Sequence, residues 1–366
     1  MRILVVTNMY PSEKYPHYGV FVKNCVDILK ENNHQVEVVA LHKQNSKIKK
    51  ISGYLKFYYD ILKKCVLGDY DAVYGHYASH IALPIICASF LKKQLKIVIN
   101  VHGNDIVPET QKDKKYIFIV KKLLKISDWI IAPSSYYAEI LKEYYNCDKT
   151  KIMIYPSGGV NLDIFHPIKL DCDKEIVKSK GDNIYIGYVS RIEKNKGWDI
   201  FLKAGKKIIE KKTNVKLFVV GSGEESGKFD EMVKSLELKE FVIKYDFLPQ
   251  EKIAIIYNLL DVFVFPTYRK SESLGLVGLE AMACGTVTVL PDKYGPSSYG
   301  INEENCFQFE TGDINSLYNT IEKALIYKMS IKKDIQNSAI KKAENYSQKN
   351  TKKILLELFD KINSNR

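Results

Sequence analysis

The chain has 366 residues, enough for two domains of ordinary size rather than one core. Its 46% hydrophobic and 27% charged residues fit a globular chain and exclude a disordered or fibrous one. The formal charge is +12, from 55 basic and 43 acidic residues, and the excess is concentrated in two segments.

Those segments are 43–64, with seven lysines against one aspartate, and 112–125, with six against one. Both interleave lysine with Tyr, Phe, Ile and Leu. That mixture suits an interfacial helix at an anionic bilayer, and it suits a solvated amphipathic helix equally. Nucleic acid is not an expected partner, because no binding module accompanies the charge. Seven scattered cysteines, none in a Cys-x-x-Cys pair, support neither a disulfide framework nor a zinc knuckle. Free, mostly buried thiols in a reducing cytoplasm are expected. The opening residues MRILVVTNMY lack a cleavage-site pattern, so no signal peptide is expected. The apolar run 81–91 is far short of the roughly 20 residues of a transmembrane helix.

In chain order, RILVVTN (2–8) reads as a buried strand and 20–33 as the helix after it. Strands follow at 35–41, 70–76, 96–103, 129–135 and 152–158, with an apolar helix around 80–91. Continuous Val/Ile runs alternating with helices predict a parallel α/β sheet covered on both faces. A polar stretch, 161–183, interrupts the rhythm, which restarts at 184–190. A helix is expected at 199–212, then strands at 215–223 and 241–248. The apolar runs IAIIYNL (253–259) and DVFVFPT (261–267) come next, then a helix from about Leu276 and a strand at 286–292. The reading is two α/β halves joined by a linker near 168–183, with ligands bound outside the strands' carboxyl ends. The final segment, 347–364, predicts a helix capped by Ser347 with an apolar face that needs a surface to pack on.

Polar residues gather at strand ends. VHGNDIV (101–107) places His102 beside a glycine, which is either a site residue or a satisfied turn histidine. In YVSRIEKNKGWD (188–199), Arg191 and Lys196 flank a loop and Gly197 opens a helix. Two cations beside a helix N-terminus suit a diphosphate. Gly19 lies in a loop entering a helix, where backbone can approach phosphate or sugar. No Gly-x-Gly-x-x-Gly follows the first strand and no Gly-Lys-Ser/Thr occurs, which argues against a nicotinamide fold and a nucleoside triphosphatase. In SESLGLVGLEAMACG (271–285), Glu272 falls in a loop, Gly275 and Leu276 at a helix start, and Glu280 about a turn in. The acids therefore flank backbone N–H groups rather than share a helix face. Such an arrangement can take sugar hydroxyls and phosphate oxygens together.

This stretch resembles the Glu-x7-Glu signature of retaining GT-B glycosyltransferases of family 4. HGND (102–105), SRIEKNKG (190–197), VVGSGEE (219–225), PSGGVNLDIFHP (156–167) and GVFVKN (19–24) match that family in order and spacing, so the resemblance covers nearly the whole chain. It implies two Rossmann-like domains, 1–167 on the acceptor side and 168–346 for the nucleotide sugar. A terminal helix, 347–366, would return to the N-terminal domain. By the same resemblance Arg191 and Lys196 would bind the donor diphosphate, so no metal or other cofactor would be needed. Glu272 and His102 would contact the transferred sugar, His102 also helping to position the acceptor. Glu280 would hold the ribose, Gly19 would line the donor phosphate, and the backbone of Leu274, Gly275 and Leu276 would meet the phosphates or sugar. The base would rest near Phe247 and Leu248.

The implied activity is retaining hexosyl transfer from a UDP-sugar, by family frequency, to a glycan acceptor. A lipid-linked acceptor at the inner face of the cell membrane, in surface polysaccharide synthesis, is the leading expectation. A GT-B phosphorylase or epimerase and a non-catalytic partner subunit are the alternatives. The chain departs from the family pattern at Ser273 and Leu274, where Gly-Phe is common, and at Pro249, a frequent glycine. DKYGPSSYG (292–300) replaces a Gly-Gly-x-x-Glu segment, which leaves sugar identity open.

Overall fold

A computed structural model describes residues 1–16, 18–43, 47–169, 180–329 and 333–364, the side chains of 47–49 excepted. The chain forms two compact units, Met1–Gly158 with Thr351–Arg366, and Gly159–Asn350. Val160 and Phe165, which a boundary at 167/168 would assign to the first half, pack in the core of the second. Of the expected linker, residues 170–179 lie outside the described residues.

Unit 1 holds β1 (Arg2–Thr7), α1 (Val20–Glu31), β2 (Gln35–Ala40), α2 (Lys47–Leu67), β3 (Ala72–His76) and α3 (Ala78–Leu91). These are followed by β4 (Lys96–Asn100), α4 (Gln111–Lys114), α5 (Ile117–Ile126), β5 (Trp129–Ala132), α6 (Ser135–Glu143) and β6 (Ile152–Ile154). The sheet order is β2-β1-β3-β4-β5-β6, with every pairing parallel. Successive residues of a strand point to opposite faces, and β1 feeds two cores in this way. Leu4 and Val6 join the cluster under α2, α3, α5 and α6, while Ile3 and Val5 join the cluster under α1. That explains the unbroken apolar strand sequences.

Unit 2 repeats the plan with β7 (Ile184–Val189), α7 (Trp198–Ile209), β8 (Val215–Val220), α8 (Ser226–Ser235), β9 (Val242–Tyr245) and α9 (Gln250–Leu259). It continues with β10 (Val262–Val264), α10 (Leu276–Ala283), β11 (Val287–Pro291), β12 (Phe307–Phe309), α11 (Ile314–Met329) and α12 (Asp334–Asn345). Its order, β12-β11-β10-β7-β8-β9, is again all parallel. The order reverses direction at β7/β10, the switch point where open α/β sheets bind ligands. The run 253–259 is helix, with Ala254, Ile256, Tyr257 and Leu259 buried.

The last helix, α13 (Gln348–Ser364), is capped by Ser347, whose Oγ accepts from the N–H of Asn350 at 3.3 Å. Leu355, Leu358, Phe359 and Ile362 follow the i, i+3, i+4, i+7 spacing of one helix face and are all buried in the α1 core of unit 1. The terminal helix therefore finds its surface on the N-terminal half. Among the described residues the cysteines are free; Cys25, Cys65, Cys284 and Cys306 are buried and Cys87 is exposed.

Candidate functional site

The polar residues of unit 2 converge on the loops after β7 and β10. After β7 the chain turns through Arg191–Lys196 into α7, and Tyr188 holds the turn by donating its hydroxyl to the Arg191 carbonyl at 3.1 Å. Gly197 precedes α7 with φ +80, and a Cβ there would lie 1.9 Å from the Pro266 carbonyl oxygen. Only glycine lets the β7 and β10 loops come this close. The contact is reinforced by the N–H of Tyr268, which donates to the Asn195 carbonyl at 3.0 Å.

This approach brings together Lys196 and Glu272, 76 positions apart in sequence. The Lys196 Nζ donates to the Glu272 carboxylate at 2.6 Å, and the two side chains are only 10% and 11% exposed. Thr267 Oγ1 donates to the same carboxylate oxygen at 3.5 Å. The ammonium also lies 6.0 Å from the centre of the Phe265 ring, so it sits in a half-apolar niche. Arg191 is reached differently. Its exposed guanidinium pairs with Glu193 at 2.6 Å, and Glu193 also receives Arg269 at 3.4 Å. The sequence reading missed Glu193, Arg269 and Thr267, because nothing local marks residues that meet only across two loops.

Glu272 leads into α10 through Gly275, whose φ is +80 and whose Cβ would lie 2.5 Å from the Phe265 ring. The N–H groups of Leu274, Gly275 and Leu276 have no protein acceptor among the described residues. They are joined at one helix N-terminus, where unpaired donors and the helix dipole both favour an anion. Leu274 itself is buried and anchors the turn. The segment 292–300, which departs from the expected family pattern, braces this turn from behind. Gly295 N–H donates to the Glu272 carbonyl at 3.1 Å, and Tyr299 donates its hydroxyl to the Gly275 carbonyl at 2.8 Å.

Glu280 is one turn into α10. Burial pushes its carboxyl up to about 7, offset in part by the Tyr257 hydroxyl, which donates to it at 3.4 Å. Leu248 is partly buried against the neighbouring core, while Phe247 is 76% exposed beside it.

In unit 1, Gly19 precedes α1 and Phe21 lies in its first turn, with the Phe21 ring centre 4.7 Å from that of His102. His102 follows β4 in a loop organised by buried Asp105, which accepts from the N–H groups of His102 (3.1 Å), Gly103 (2.8 Å) and Ala78 (3.1 Å). One carboxylate thus fixes the His-Gly turn and caps α3. Burial drives the His102 imidazole down to about 3, so it is neutral at physiological pH. Also in unit 1, two cavities of about 520 and 290 Å³ share Lys50, Tyr54 and His80 as lining residues. The larger is walled by Tyr58, Tyr116, Ile51 and Leu55, and the smaller by Asn8, Tyr18, His42 and Lys43.

Residues 5–163 match the family Glycosyltransferase Family 4, and residues 171–346 match Glycosyl transferases group 1. The capsular polysaccharide biosynthesis glycosyltransferase CapM of Staphylococcus aureus is 32% identical over 254 residues, covering 65% of this chain and 63% of that protein. The D-inositol 3-phosphate glycosyltransferase of Segniliparus rotundus is 33% identical over 173 residues, 46% of this chain and 38% of its own length. The match thus spans less than two thirds of each of these relatives. Among solved structures, sucrose-phosphate synthase from Thermosynechococcus elongatus superposes with a TM-score of 0.80 at 17% identity, covering all of both chains. HepE of Anabaena, solved with UDP, gives 0.78 at 16% identity over 99% of this chain and all of that one. With family matches over both halves and two all-parallel six-stranded sheets, the chain belongs to glycosyltransferase family 4, the glycosyl transferases group 1, and has the GT-B fold.

Proposed function

We propose that this protein transfers a hexosyl group, with retention and without a metal, from a UDP-sugar to a lipid-linked glycan acceptor in surface polysaccharide synthesis. The observation that carries the reading is the buried Lys196–Glu272 pair beside the unpaired N–H groups of Leu274, Gly275 and Leu276. A diphosphate supplies the anion that a recessed ammonium and a helix N-terminus favour, and a sugar supplies hydroxyls for a carboxylate. Glu272 then holds the sugar, Lys196 and Arg191 the diphosphate, and Glu280 the ribose, with the base beside Phe247 and Leu248. Gly19 and His102 are the assigned contacts of unit 1. HepE, of the same fold, was solved with UDP and with UDP-glucose, and CapM is named for capsule synthesis.

The step breaks the bond between C1 and the β-phosphate oxygen and forms one between C1 and the acceptor oxygen on the same face. The acceptor's proton passes to the departing phosphate. Lys196 and Arg191 stabilise the charge that grows on that phosphate, and preorganised groups of this kind contribute about 10²–10³ each in rate. Glu272, engaged at 2.6 Å by an ammonium, acts as a hydroxyl acceptor rather than a nucleophile.

The two tyrosine-walled cavities are assigned to the acceptor. A membrane-borne acceptor is supported by α2, which exposes Ile51, Leu55 and Tyr59 at four-residue intervals beside Lys56 and Lys63. Helix α5 adds exposed Phe118 beside Lys121, Lys122 and Lys125. No described helix is long and apolar enough to cross a membrane, and the contact proposed for these faces is an interfacial one. A thermal-shift and hydrolysis screen against a panel of nucleotide sugars tests the donor assignment. Stabilisation by UDP and one UDP-sugar is expected, and indifference to every nucleotide sugar would remove the proposal.

A further inference from the structure

His102 does not stand alone. At the end of β3, His76 is completely buried, and its Nδ1 lies 3.0 Å from His102 Nε2. The ring planes are 14° from parallel with centres 5.2 Å apart. One nitrogen–nitrogen distance plus two ring radii accounts for that separation, so the imidazoles meet edge to edge in a hydrogen bond. Parallel register places His76 beside Asn100, two residues before His102, which is how adjacent strand ends deliver both rings.

The remaining ring nitrogens differ sharply. His76 Nε2 is enclosed and has no hydrogen-bond partner among the described residues. His102 is partly exposed, and no group among the described residues bonds its Nδ1. Burial pushes both rings well below the usual histidine range, so the pair is neutral and carries two protons. One proton lies between the facing nitrogens. If His102 donated it, the second would sit on His76 Nε2 as a buried N–H with no acceptor, an outcome folded proteins almost never tolerate. If His76 donates it, the second sits on His102 Nδ1, where water or substrate can accept it. The partner of one ring nitrogen thus decides which proton the other carries.

We propose that His76 is a positioning residue: its Nδ1–H donates to His102 Nε2 and so fixes His102 as a donor, through Nδ1–H, to an oxygen of the bound sugar. This rests on the assignment of His102 to a sugar. It gives His102 one role and removes another, since a ring whose Nε2 is occupied and whose Nδ1 is protonated cannot act as a general base. It also accounts for a histidine sealed inside a parallel sheet at the cost of an unsatisfied nitrogen.

The test is long-range proton–nitrogen correlation NMR on the ¹⁵N-labelled full chain, with His76→Asn and His102→Gln used to assign the two rings. Both rings should be protonated on Nδ1 and bare at Nε2, the reverse of the preference of free histidine in water. A His102 ring protonated on Nε2 overturns the proposal. Transfer assays supply the second arm. His76→Leu keeps the volume but has no donor, and kcat/KM should fall about tenfold or more. His76→Asn places an amide near the Nδ1 position and should recover most of the loss. Adding His76→Leu to His102→Ala should cost nothing further, and additive losses contradict a role through His102. If the wild-type chain transfers no sugar, the functional reading fails while the NMR result still decides the pair.

Discussion

Replacing Lys196 separates two consequences that a simple active-site mutation would confuse. The ammonium is 2.6 Å from Glu272 and both side chains are about nine-tenths buried. Substitution by methionine leaves the Glu272 carboxylate without its cation, and breaking a buried pair in this way costs about 3–5 kcal/mol of stability. In the proposed reaction it also removes a fixed charge from the leaving diphosphate, a loss of about 10²–10³ in kcat, or ~2.7–4 kcal/mol of transition-state stabilisation. Lys196→Met should therefore lower the denaturation midpoint and nearly abolish turnover. Lys196→Met combined with Glu272→Gln removes the orphaned charge, so stability should return to within about 1 kcal/mol of wild type while turnover stays lost. Urea unfolding and a nucleotide-release assay on the same three proteins read both effects. If Lys196→Met turned over near the wild-type rate, the diphosphate role would be wrong. If the double variant were no more stable than the single one, the pair would not be the source of the stability loss.

Four further sets of residues give measurable outcomes. Glu280 has a folded pKa of about 7, above its ordinary 4.5, so the native state holds the proton more tightly. Stability is then full below pH 4.5 and falls by up to about 3 kcal/mol as pH rises through 7, and Glu280→Gln should flatten that fall in pH-dependent unfolding. UDP affinity by calorimetry should also weaken below pH 7, as the carboxylate proposed to accept ribose hydroxyls becomes protonated. Gly197→Ala places a Cβ 1.9 Å from the Pro266 carbonyl oxygen, whereas Gly227→Ala in α8 meets nothing within 4 Å. The first should cost about 3 kcal/mol or more and the second should stabilise by roughly 0.5–1 kcal/mol in thermal unfolding. Tyr54→Ala opens the wall shared by both unit 1 cavities and should raise the acceptor KM several-fold with donor KM unchanged. Reversing the charge of Lys49, Lys50, Lys121 and Lys122 should abolish sedimentation with anionic liposomes at low salt, at about 1 kcal/mol per lysine; unchanged binding would rule out the basic segments as the contact.

The sheets were legible because parallel strands are buried on both faces and so read as unbroken runs such as ILVV and LFVV. The run 253–259 carried no such signal: seven mostly apolar residues suit a strand or a buried helix, and only tertiary packing makes it α9. Gly197 and Gly275 could be placed at helix starts from their neighbours. What each glycine permits, a backbone approach to Pro266 or a turn against Phe265, is a property of two loops at once. The same limit hid the Lys196–Glu272 pair, the Glu193 bridge between Arg191 and Arg269, and His76, which in AVYGH looks like one more strand residue. The segment 292–300 reads as a loss against the family pattern, yet it supplies the Gly295 and Tyr299 contacts that hold the Glu272 turn.

The proposed reaction moves a sugar from a nucleoside diphosphate with retention, using the protein's own cations. The most direct measurement is proton NMR of the anomeric region during turnover, with chelator present and a panel of α-linked UDP-sugars offered with a glycan acceptor. Loss of one donor's anomeric signal, release of UDP, and a new α-linked product signal are expected, all absent with Lys196→Met. A β-linked product, or no consumption of any donor until a divalent metal is restored, would contradict it.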